Sequence, residues 1–181
     1  MIKKFSRWLL YKRLGWTADV NVELPQKCVI CLAPHTSNWD FVYSMLYGKA
    51  EGLKSNFLMK KEWFFWPLVP IFRKLGGIPV YRNKKSSMTD NLAETAMREK
   101  SFRLAITPEG TRKANPEWKR GFYYIALKAG IPILLYGLDF ERKLIYCHRS
   151  FVPAGDVEKD MQEIKEYYKD FKGKKPEQFA Y

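Results

Sequence analysis

Apolar residues along this chain come in short bursts, separated by longer mixed stretches with a helical rhythm. The run "CVICLA", residues 28–33, has strand length, and "NFLMK", "GGIPVYR", "FRLAIT" and "IPILLYGLDF" repeat it further on. Apolar runs of about four to eight residues bounded by polar residues or glycine predict buried strands. Between them, "WDFVYSMLYGKAEG" (Trp39 to Gly52), "SSMTDNLAETAMREK" (Ser86 to Lys100) and "GFYYIALKAG" (ending at Gly130) predict helices. Glycine ends the first and third with the left-handed stop a helix favours, and the second carries acids early and bases late, as the helix dipole prefers. After "KLIYCH" and "SFVPAG", the segment "DVEKDMQEIKEYYKDF" reads as a terminal helix and "KGKKPEQFAY" as a loose basic tail. Strands alternating with helices predict an α/β fold: a single domain with a mostly parallel central sheet and helices on both faces. The expected boundaries are a basic amphipathic segment at 1–16, the folded domain at 17–172 and the tail at 173–181.

The first segment, "MIKKFSRWLLYKRLGW", has its own pattern. At about 100° per residue, Ile2, Phe5 and Leu9 fall within roughly a 60° arc that Trp8 extends, while Lys3, Lys4 and Arg7 lie opposite. Two readings follow: an interfacial helix meeting a membrane through Phe5, Trp8, Lys3, Lys4 and Arg7, or an amphipathic helix docked on the domain. It lacks the apolar core and small-residue cleavage site of an export signal. The longest apolar stretch, "WFFWPLVPIF" at Trp63 to Phe72, is about half the roughly 20 residues of a spanning helix, and two prolines break it.

Charge narrows the partners. With 32 Lys and Arg against 19 Asp and Glu, the formal charge of +13 calls for something anionic: nucleic acid, an acidic membrane surface or a phosphorylated substrate. The aromatics, 16% of residues, cluster in apolar runs and do not alternate with bases as in a stacking platform, which argues against nucleic acid. Three cysteines, an odd number, make no disulfide framework and fit a reducing compartment. Cys28 and Cys31 form a CxxC, but residues three apart on a strand point to opposite faces, so packed thiols are expected in place of a zinc or redox pair.

Two polar clusters follow predicted strands, the position where open α/β sheets hold ligands. His35 stands just past "CVICLA", five positions before Asp40 in "HTSNWD". A neutral imidazole can take a proton from a hydroxyl at pH 7 while a carboxylate holds its other nitrogen. Asp40 also suits the first turn of a helix, where a carboxylate caps amides. The second cluster, "TPEGTRK" at Thr107 to Lys113, offers a glycine for close backbone approach, a hydroxyl and an arginine able to grip a phosphate with two parallel bonds.

In this order, "HTSNWD", "GGIPVYR", "TPEGTRK" and "AGIPILL" resemble the four motif blocks of the glycerophospholipid acyltransferases, the family of 1-acylglycerol-3-phosphate acyltransferase, from about Val29 to Pro153. The resemblance implies an HX4D catalytic pair, His35 as general base and Asp40 as its partner. It implies an acceptor-phosphate site at Arg82, Glu109, Gly110, Thr111 and Arg112, and an acyl-donor side at Pro132 and Ile133. It further implies a lipid acceptor, with acyl-CoA or acyl carrier protein as co-substrate and no metal or cofactor. The expected place is cytoplasmic, peripherally on the inner face of an anionic membrane. Thr107, Tyr81 and Lys113 depart from the usual Phe, Asp and Ser, which leaves open a phosphate-free aminolipid acceptor; a noncatalytic membrane-binding module is the remaining alternative. "WFFWPLVPIF" is then expected to be mainly core beneath an acyl groove, with a lesser share exposed to lipid.

Overall fold

A computed structural model describes residues 1–80 and 85–181, with the side chains of 85–87 outside the description. The chain runs α1 (Ile2–Arg7), a π-type turn over Trp8–Arg13, β1 (Thr17–Val20), β2 (Lys27–Ala33), α2 (Asn38–Glu51) and β3 (Asn56–Lys60). It continues through α3 (Leu68–Lys74), β4 (Gly77–Val80), α4 (Lys85–Arg98), β5 (Phe102–Ile106) and α5 (Gly121–Ala129). It closes with β6 (Ile133–Asp139), β7 (Leu144–Cys147), β8 (Ser150–Phe151) and α6 (Val157–Tyr168). The strands form one sheet in the order β1-β7-β6-β2-β5-β3-β4, with β8 paired to β6. From β6 to β4 all neighbours are parallel, whereas β7 and β8 pair antiparallel to β6. Only Phe140 to Lys143 links β6 to β7, too short for the crossover a parallel pair requires.

The alternation along the central strands divides the core in two. Val29, Cys31 and Ala33 of β2, with Ile133 and Leu135 of β6, pack under α4, α5 and α6 against Leu92, Phe122, Ile125 and Ile164. Cys28 of β2, with Leu134, Tyr136 and Leu138 of β6, faces Leu10, Trp16, Tyr47 and Ala50. The two CxxC sulfurs therefore sit on opposite faces, and burial pushes Cys28 up to about 11 and Cys31 up to about 12. They are inert packing groups.

The segment at 173–181 is not loose. Phe179 packs on Trp118, whose indole N–H donates to Ala180 O at 3.0 Å, and Gly173 is buried. The aromatic segment also differs from expectation: Trp63, Phe65, Trp66 and Ile71 are exposed. Two prolines in ten residues leave a 3-10 turn at Lys61–Trp63 and the seven-residue α3, too little regular structure to bury so many rings.

Candidate active site

All strands from β6 to β4 point their carboxyl ends to one edge, and the two polar clusters meet there. The turn after β2 carries Pro34 to Ser37 into α2. Ser37 caps that helix, its Oγ accepting from Trp39 N at 3.2 Å, and Asp40 answers as the acidic partner of a capping box. Asp40 Oδ2 accepts from Thr36 N at 2.7 Å and Ser37 N at 2.8 Å. The same oxygen lies 3.2 Å from His35 Nδ1. The cap and the histidine partner are thus one carboxylate. The contact is not aligned as a hydrogen bond, and Nδ1 and Asp40 Oδ1 are buried without hydrogen-bond partners among the described residues. The His35 side chain keeps 21% of its surface exposed against 7% for Asp40, so the imidazole looks outward with the carboxylate behind it.

Glu109 departs from its expected role. It is 1% exposed and turned inward, its Oε1 accepting from His35 N at 2.8 Å, while Oε2 has no hydrogen-bond partner among the described residues. Burial pushes its carboxyl up to about 8, against the lowering effect of the His35 amide, with the Asp40 charge adding to the rise. Turned inward and buried, this side chain does not face the open edge where a phosphate would sit. It holds the backbone amide of His35 instead.

The rest of that loop lies where a ligand can reach it. Gly110 has a φ of +65°, and a Cβ there would come within 3.1 Å of Lys119 Cγ. Thr111 is half-buried and its Oγ1 accepts from Lys113 N at 3.3 Å. Arg112 is exposed and its guanidinium donates to Asn38 Oδ1 in the first turn of α2, joining the two clusters. Arg82 lies outside the described residues.

Pro132 and Ile133 are not brought to this edge. Val29 N donates to Pro132 O at 3.0 Å and Ile133 pairs with Val29, whereas Ala33, next to the site, pairs with Gly137. Four strand residues, roughly 13 Å, separate the Ile133 level from Ala33, and His35 lies two residues beyond that. Ile133 is wholly buried, because a proline-preceded apolar run opening a central strand packs as core.

The acyltransferase family profile matches residues 19–135, a span that includes His35, Asp40, Glu109 and Arg112. The chain belongs to the acyltransferase family. The crystal structure of the 1-acyl-sn-glycerophosphate acyltransferase PlsC from Thermotoga maritima superposes with a TM-score of 0.57, over 95% of this chain and 80% of that one, at 18% identity. That likeness establishes the shared fold. No curated protein matches the sequence significantly.

The family profile stops at Leu135, yet the C-terminal chain also reaches this edge, where Lys175 N donates to Thr36 Oγ1 at 3.1 Å. Its signal was faint, a glycine and a lone Phe179 within a basic run.

Proposed function

We propose that this acyltransferase moves a fatty acyl group from a thioester donor, acyl-CoA or acyl carrier protein, to a hydroxyl of a lysophospholipid or related lipid. The observation that carries the reading is His35, with Asp40 behind its buried Nδ1 and the rest of the ring facing the open edge of the sheet. Nε2 takes the proton of the acceptor hydroxyl as its oxygen attacks the thioester carbonyl. The C–O bond forms, the tetrahedral intermediate collapses with cleavage of the C–S bond, and the imidazolium returns the proton to the thiolate. Asp40 stabilises the imidazolium meanwhile. Arg112, exposed beside the N-terminus of α2, is the cation this reading gives to the acceptor phosphate, and the resemblance adds Arg82.

The setting fits a lipid surface. No helix among the described residues is long and apolar enough to cross a membrane. Ile2, Phe5 and Trp8 stand 70%, 58% and 53% exposed along α1 and the start of the π-type turn, a face suited to headgroup depth. Lys3 and Arg7 instead face the domain, Lys3 donating to Glu51 O at 3.2 Å and Arg7 pairing with Glu51 at 2.7 Å. Peripheral attachment therefore rests on the apolar residues and Lys4.

The test is thiol release from acyl-CoA and acyl carrier protein with a panel of acceptors, phosphate-bearing lysolipids beside phosphate-free aminolipids. Release that depends on a phosphate-bearing acceptor is expected. Release with aminolipids alone would move the acceptor class, and no acceptor-dependent release with any pair would contradict the reading.

A further inference from the structure

After α6 the chain turns back and crosses the carboxyl ends of the central strands. Phe171 covers Gly137 of β6 so closely that a Cβ there would lie 2.2 Å from its ring. Phe140 N then donates to Lys172 O at 2.8 Å. Gly173 sits on the turn beyond β2, where a Cβ would fall 2.6 Å from Thr36 Oγ1, 2.7 Å from Thr36 Cγ2 and 3.2 Å from Pro34 Cβ. Gln178 reaches two carbonyls. Because both atoms facing it are acceptors, its amide nitrogen belongs on that side, 2.6 Å from Arg112 O and 3.0 Å from Thr36 O. Trp118 then fastens the end through Ala180.

Thr36 stands between His35 and the rest of the capping turn, and its amide is one of the two that orient Asp40. Arg112 is the exposed cation of the other loop. Gln178 thus bonds, through one amide group, the backbone beside the base and the backbone of the acceptor-side arginine. We propose that residues 171–180 form a strap belonging to the active site, in which Gln178 is a positioning residue that fixes the His35 turn against the Arg112 loop, with Gly173 giving the strap its close seat on Thr36. The inference rests on the acyl-transfer reading for its effect on turnover, and on the contacts alone for its effect on the turn. A two-loop site needs such a tie, because proton transfer requires base and bound hydroxyl within hydrogen-bond reach and small displacements are costly in rate.

Gln178→Ala removes the tie, and Gln178→Glu keeps its length while setting an acceptor against two carbonyl oxygens. Both are made in the full chain and compared with wild type by steady-state kinetics, thermal melting and hydrogen exchange at single amides. In both, kcat is expected to fall about 10-fold or more with KM for the acyl donor little changed. Melting is expected to shift by no more than about 4 °C, the scale of one lost hydrogen bond in a chain of this size. Exchange should quicken at the His35, Thr36 and Ser37 amides and not in β2. Gly173→Ala, whose Cβ would strike Thr36, should lower kcat and quicken the same amides with a larger melting shift than the Gln178 variants. Wild-type kcat and unchanged exchange in Gln178→Glu would overturn the proposal, as would melting and turnover lost together with exchange quickened throughout the sheet. Absence of turnover in the wild type would count against the acyl-transfer reading only, since exchange at the turn still decides whether Gln178 holds it.

Discussion

One oxygen of Asp40 meets both the capping turn of α2 and the ring of His35. Its Oδ2 caps α2 through Thr36 and Ser37 and also lies behind His35, so the capping role and the catalytic role anticipated for it coincide. Substitutions separate them. His35→Ala leaves the cap intact and is expected to melt like wild type while acyl transfer falls on the order of 10²-fold or more. Asp40→Ala loses both, and chemical denaturation should show about 0.5–2 kcal/mol of lost stability besides the lost rate. Glu109 adds a pH signature. With its folded pKa near 8 above an ordinary 4.5, the folded protein holds a proton that the unfolded chain has released between those values. Its contribution to stability is full below about 4.5 and is lost as pH rises through about 8. Glu109→Gln keeps an acceptor for the His35 amide and has no such titration. Urea midpoints measured across this range should decline more steeply for wild type than for the variant, and parallel curves would contradict a raised carboxyl. The sequence announced His35 and Asp40 because their spacing after a strand is recognisable. It could not tell that Glu109 turns inward, since a carboxylate in a glycine-containing loop reads the same whether solvated or buried.

At the scale of elements, legibility followed burial. The central strands β2 and β6 were readable because their residues are buried or half-buried throughout and correspondingly apolar, and β3 and β5 because a shorter apolar run marks their partly buried middles. Edge strand β1, "TADV", was not: three of its four residues are exposed, and it is held by parallel pairing with β7 that no side-chain pattern records. The C-terminal strap was hidden for a related reason, since its role lies in main-chain and glycine contacts across 139 residues, as from Lys175 to Thr36. The N-terminal helix was half legible. Its apolar stripe is present, but Leu10 is fully buried and Arg7 pairs with Glu51, so the segment is docked as well as exposed. Membrane attachment is therefore tested by changing only its outer face. Replacing Ile2, Phe5 and Trp8 together by serine should abolish cosedimentation with anionic vesicles and leave melting unchanged. A binding loss obtained only with high salt, and not with these substitutions, would assign attachment to charge alone.

Across the whole molecule, one doubly covered sheet gathers the loops of β2 and β5 and the returning C-terminus at a single edge, while most of the conspicuous aromatic segment remains on the surface. The net charge of +13 suits an anionic ligand in general without locating it. On the proposed reading, Arg112→Lys, which keeps the charge and loses the paired geometry, should raise KM for a phosphate-bearing acceptor with kcat largely retained. The most direct test of the central claim, that His35 activates an acceptor hydroxyl toward a thioester, is acceptor-dependent thiol release by wild type and His35→Ala under identical conditions. Release by the wild type is expected, with a fall on the order of 10²-fold or more in a variant whose melting is unchanged; release at the wild-type rate by His35→Ala would contradict a base at this position.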